Sequence, residues 1–124
     1  MLLMVGYDDE LNHVFGKIEG VLTKDLASNY LSKVAQIASE NKCRKVITDL
    51  REAQLFANQK EMEILAKELK GIGIELSFRR AILISNDIND YKVWENFNFR
   101  NGFKDMRLFS DERVALEWMK SNNN

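Results

Sequence analysis

Short apolar, β-branched runs alternate along this chain with longer segments whose apolar residues recur every three or four positions, and that alternation restricts it to one class of architecture. Residues 2–7 form a first apolar run. After the acidic turn Asp8-Asp9-Glu10, residues 11–18 partly alternate, so the two segments read as an antiparallel pair ended by Gly20. Thr23 then offers a hydroxyl to cap a helix, with Asp25 in the first turn, where the helix dipole favours a negative charge. Its apolar stripe is Leu26, Tyr30, Leu31, Val34, Ile37 and Ala38, its outer face carries Lys24, Lys33 and Glu40, and it ends near Asn41.

The same logic continues to the end. Residues 44–50 have the β-branched profile of a covered strand, and Asn58 with Glu61 three positions on matches a capping box. Met62, Leu65, Ala66 and Leu69 supply the next helical stripe, which Gly71 is expected to stop. Residues 80–85 are the most strand-like stretch, Asn86 and Asp87 are placed to cap a third helix running to about Phe99, and Gly102 opens a turn. Residues 106–109 form a short last strand. Ser110-Asp111-Glu112 starts a final helix bearing Val114, Ala115, Trp118 and Met119, and residues 122–124 read as a disordered tail. The predicted order is β-β-α-β-α-β-α-β-α, an α/β fold in which a mixed five-stranded sheet carries helices packed on it and the opening hairpin forms an antiparallel edge. One domain over residues 1–121 is expected, without repeat, linker or low-complexity tract.

Composition excludes several classes of function. Lys and Arg number 18 against 19 Asp and Glu, so no global positive field exists to draw in nucleic acid or an anionic membrane. No apolar run approaches the roughly 20 residues that a membrane span requires, and residues 1–5 lack the basic flank of a signal peptide. Cys43 is the only cysteine and suits a reducing compartment, so a cytoplasmic protein without integral membrane association is expected.

The material for catalysis is thin. His13 is the sole histidine, which rules out a multi-histidine metal site, and it reads as a partly exposed strand residue. Cys43 lies between Lys42 and Arg44, which can lower a thiol pKa, but its place in a helix-to-strand turn is that of a passive residue. Gly71-Ile72-Gly73-Ile74 follows a helix and lacks the third glycine of a dinucleotide fingerprint. Asp8-Asp9 and Asp111-Glu112 are accounted for by a turn and a helix start. No catalytic residue, metal or cofactor is expected.

Position is more informative. Open α/β sheets bind ligands outside the carboxyl ends of their parallel strands, which points to Asp49 and Arg51 after one strand and to Ser85, Asn86 and Asp87 after another. Capping also explains Asn86 and Asp87, and Asp49 with Arg51 can pair or hold the loop to Phe56. The third helix and its exit carry Tyr91, Trp94, Phe97, Phe99 and Phe103. Trp94 and Phe97 suit the core face, whereas Tyr91 and Phe99 can be left partly outside it, so the cluster reads as core or else as a pocket or a protein interface, with Arg100 and Lys104 nearby either solvated or set for an anionic group.

The segments Val46-Ile47-Thr48-Asp49-Leu50-Arg51-Glu52-Ala53 and Ala81-Ile82-Leu83-Ile84, and the ending from Arg107 to Met119, resemble the SpoIIAA-like proteins, the STAS/SEC14 group. The element order agrees along nearly the whole chain. The resemblance implies an interaction or sensing module rather than an enzyme. Where anti-sigma-factor antagonists of the wider class carry a phosphorylatable serine at a helix start, this chain has Phe56-Ala57-Asn58-Gln59, without a hydroxyl. A serine switch there is not expected. Three functions compete: a non-catalytic module acting through a protein partner or homodimer, a small carrier or sensor of a lipid or other apolar metabolite, and a hydrolase using the strand-end carboxylates.

Overall fold

The computed structural model describes residues 2–121, so the tail expected over 122–124 lies outside the described residues. The chain runs β1 (Leu2–Asp8), β2 (His13–Leu22), α1 (Lys24–Glu40), β3 (Lys45–Asp49), β4 (Ala53–Leu55), α2 (Gln59–Ile72), β5 (Arg79–Leu83), α3 (Ile88–Arg100), β6 (Met106–Phe109) and α4 (Glu112–Lys120). The opening hairpin is tied by Asp8, whose Oδ1 accepts the N–H groups of Glu10 (3.0 Å) and Leu11 (3.1 Å), and β1 then pairs antiparallel with β2 from Leu2 opposite Glu19 to Asp8 opposite His13. The remaining neighbours are parallel, in the order β1-β2-β3-β5-β6.

The sheet departs from the five-stranded reading at one place. β2 does not end at Gly20. It continues to Leu22 because β4, a sixth strand of three residues, lies parallel beside its second half, Gly20 opposite Ala53 and Leu22 opposite Leu55. β3 and β4 thus share one flank of β2, separated by the turn at residues 50–52. α2 also overruns the expected stop: it passes Gly71 and ends at Ile72, where Gly73, at φ 116°, takes the left-handed conformation that only glycine adopts cheaply. The Asn58–Glu61 capping box is present at its start, and Thr23 caps α1 through the Leu26 N–H.

Alternation along the strands divides the buried residues into two layers. Val14, Ile18, Val46 and Ile82 face α1, α2 and α3, whose Tyr30, Val34, Leu65, Leu69 and Trp94 close over them. Ile47, Ala81 and Leu83 face the other way, against Ala115 and Met119 of α4. Gly16 faces the larger layer, and the Tyr30 ring occupies the space a side chain would take there while its hydroxyl bonds Thr48 Oγ1 at 2.6 Å.

Two glycine replacements test this packing. Gly16→Ala drives a methyl into the Tyr30 ring and is expected to cost about 1–3 kcal/mol. Gly71→Ala, in a helix with open space around the position, is expected to add about 0.5–1 kcal/mol. Denaturant midpoints of the two variants check both signs.

Candidate ligand cavity and the polar strand ends

The strand-end residues are joined to one another and to neighbouring loops. Asp49 receives Arg51 in a bidentate pair, Oδ1 to Nε at 3.0 Å and Oδ2 to Nη2 at 2.9 Å, and accepts the Arg51 backbone N–H as well. Arg51 also reaches Glu112 Oε1 at 3.2 Å, which ties this loop to the start of α4. Burial would raise the Asp49 carboxyl, but the hydrogen bonds and charge of Arg51 outweigh it and hold it below the usual range. Ser85 Oγ donates to the Arg51 carbonyl at 2.8 Å. Asp87 sits at the N-cap position of α3 but makes no side-chain cap: its backbone is left-handed, φ 55°, and its Oδ2 accepts the Leu55 N–H at 3.1 Å instead. The capping expectation for Asp87 is corrected accordingly, because stitching β4 to α3 takes the carboxylate. Asn86 is exposed and enters none of these bonds.

Tyr91 and Trp94 lie elsewhere, under the three-helix layer. The expectation that Tyr91 projects partly outside the core is wrong: Tyr91 is 2% exposed, and Phe99, at 41%, is the aromatic that faces outward. Both Tyr91 and Trp94 line a cavity of about 80 Å³ between the sheet and α1–α3. Its wall is almost wholly apolar, and the partly exposed Lys24, Ala27, Leu55, Ala57 and Glu61 place its mouth at the starts of α1 and α2. Thr23, Lys24 and Glu61 stand at the mouth, and four buried polar side chains break the wall inside. Tyr30 and Thr48 satisfy each other. Tyr91 Oη is buried without a hydrogen-bond partner, and burial, with Asp87 and Asp90 adding to it, raises its pKa.

The fourth is Arg80, which the sequence reading took only as the first residue of a strand. Its side chain points into the apolar layer, donates to Asn98 Oδ1 at 2.6 Å and lies 5.9 Å from the Phe103 ring. Asn98 in turn donates to the Trp94 carbonyl at 2.8 Å. Among the described residues no carboxylate pairs with Arg80, and burial lowers its pKa to about 10. It remains a cation at neutral pH. The signal that could have found it is a break in pattern, since Arg80 shares a face with the core residues Ile82 and Ile84.

His13 and Cys43 do not meet. His13 is buried rather than partly exposed, because it begins β2 inside a recess lined by Leu11, Phe15 and Leu116 and by the charged Asp8, Lys17, Asp49 and Glu112, and its Nε2 has no partner. Cys43 lies in the larger core, its thiol 3.4 Å from the Asn12 carbonyl. Among the described residues no cluster of His, Cys, Asp and Glu is arranged to hold a metal, and no helix is long and apolar enough to cross a membrane.

A mixed sheet with three helices on one face and one on the other is the SpoIIAA-like fold, and the chain adopts it. A solved structure of an uncharacterised DUF3478-family protein with a SpoIIAA-like fold, from Shewanella loihica PV-4, is similar to it with a TM-score of 0.60. The two are 14% identical, over 95% of this chain and 92% of that one. The Bacillus cell fate determinant SpoIIAA in its phosphorylated form matches at 15% identity and a TM-score of 0.49, over 91% of this chain and 96% of that one. No family model matches the chain, and the curated proteins give no match.

Tyr91→Phe removes a buried hydroxyl that has no partner, and the unliganded protein should gain about 1 kcal/mol in denaturant unfolding. Asp49→Asn should cost about 1–2 kcal/mol at neutral pH. Because the folded Asp49 pKa is depressed, its contribution is fully present above the ordinary carboxylate pKa and is lost as pH falls below that value through the lower, folded pKa. The gap between wild type and Asp49→Asn should therefore close in acid, which unfolding midpoints measured from neutral to acidic pH will check.

Proposed function

We propose that this chain is a single-domain, non-catalytic, cytoplasmic sensor that takes a small apolar molecule into the cavity under α1, α2 and α3 and reports its occupancy to a protein partner or a second copy. The observation that carries the reading is the cavity itself, an apolar space of about 80 Å³ whose wall contains a buried tyrosine hydroxyl with no partner. Protein interiors seldom leave such a group unmatched, because desolvating it without a hydrogen bond is unfavourable. A ligand that enters can match it.

Two further features support this choice over its competitors. Asp49 and Asp87, the carboxylates on which a hydrolase would depend, are each engaged in holding loops, one by Arg51 and the other by the Leu55 amide. The aromatics of α3, on which an interface would depend, turn inward at Tyr91 and Trp94 and leave only Ile88 and Phe99 exposed at the two ends of the helix. Two of the α3 aromatics, Tyr91 and Trp94, thus serve the cavity wall. The SpoIIAA-like fold fits a regulatory output.

Native mass spectrometry of freshly purified protein, run beside light scattering, tests the proposal. An adduct of constant mass, released by denaturation, is expected. Repeated preparations without an adduct, together with no thermal shift from a panel of small apolar compounds, would lead us to abandon it.

A further inference from the structure

Arg79 and Arg80 are adjacent, similarly buried, and treated oppositely by the fold. Arg79 faces α4, where Asp105 Oδ2 (3.0 Å) and the carbonyls of Trp118 (2.9 Å) and Ser121 (2.7 Å) accept from it. Arg80 faces the cavity, where its acceptor is the single amide oxygen of Asn98. A guanidinium has five N–H donors and cannot shed its charge at neutral pH, so burying it with one neutral acceptor is strongly unfavourable. A partner missing from the protein but supplied by a ligand removes that conflict.

The rest of the wall restricts the ligand. Apart from Thr23, Lys24 and Glu61 at the mouth, the Tyr30–Thr48 pair and the Tyr91 hydroxyl, the lining is apolar, and Ile18, Val46, Leu65 and Trp94 offer nothing to a sugar, a base or a hydrated ion. A phosphate group needs donors for three or more oxygens, whereas the two oxygens of a carboxylate match the guanidinium fork. A cavity of about 80 Å³ has room for on the order of five water-sized groups, which limits the apolar body to a short chain.

We propose that the cavity binds a small apolar monocarboxylic acid, its carboxylate on Arg80, with the Tyr91 hydroxyl as a second contact within the same space. This rests on the cavity reading given above and adds to it the charge of the ligand. The acid binds as its anion, so affinity falls as pH drops through the ligand's own pKa.

Isothermal titration with a series from propanoate to hexanoate, each beside its matching alcohol, tests the charge on the wild-type protein alone. At least one acid should bind tenfold or more tighter than its alcohol. Arg80→Met, and Arg80→Met/Asn98→Leu to spare Asn98 its lost partner, should lose about 30-fold or more in acid affinity while the alcohol is unaffected, in protein shown folded by circular dichroism. Equal binding of acids and alcohols to wild type, or acid binding that survives in either variant, overturns the carboxylate assignment and leaves the cavity reading standing. Binding of neither series overturns both.

Discussion

A β-strand turns successive side chains to opposite sides, and in this protein two differently built layers hang on that one constraint at β3 and β5. Val46, Thr48 and Ile82 enter the layer under three helices; Ile47, Ala81 and Leu83 enter the layer under one. Shifting either strand by a residue would exchange the two sets and send Arg79 into the cavity and Arg80 against α4. The register of β3 on β5, from Lys45 opposite Arg79 to Asp49 opposite Leu83, is what keeps each arginine with its own surroundings.

The two layers differ in how completely they are filled. Under α4, Arg79 is well matched: it gathers carbonyls at the helix C-terminus, where a cation also complements the dipole, and its guanidinium lies 4.7 Å from the Trp118 ring, while His13 Nε2, farther along the same side of the sheet, has no partner. Under α1–α3, the close approach of Tyr30 to Gly16 and its bond to Thr48 hold the wall firm, yet an apolar space remains beside an unmatched hydroxyl and a cation with one acceptor. Unmatched polar groups cost stability, and two of those in this protein, the Tyr91 hydroxyl and the sparsely partnered Arg80, face one cavity.

The strand ends carry a structural task. Asp49, Arg51, Ser85 and Asp87 stand where ligands of open α/β sheets collect, but their hydrogen bonds run to one another and to the β4 loop. They brace β4 beside β2 and α4 beside β3. The cavity mouth lies close to this bracing, at Leu55 and Ala57.

Much of the fold was legible because it rests on local rules. Helical stripes at three- and four-residue spacing, the Thr23, Asn58 and Asp111 caps, and the β-branched runs of β3 and β5 all act within a few residues of chain. The Asp49–Arg51 pair was visible for the same reason, since its partners are two residues apart. β4 was not, because three residues carry no period and Ala53–Leu55 becomes a strand only by lying against β2. Asp87 looked like a cap until Leu55, 32 residues away, claimed its carboxylate. The inward turn of Tyr91 and the burial of His13 and Arg80 likewise depend on which elements pack over them. The sequence by itself determined the elements, their order and the two-faced strands, because these follow from short-range propensity and periodicity. Only the tertiary structure decided where space was left and which buried polar groups went unmatched, because a cavity is what several distant segments together fail to fill.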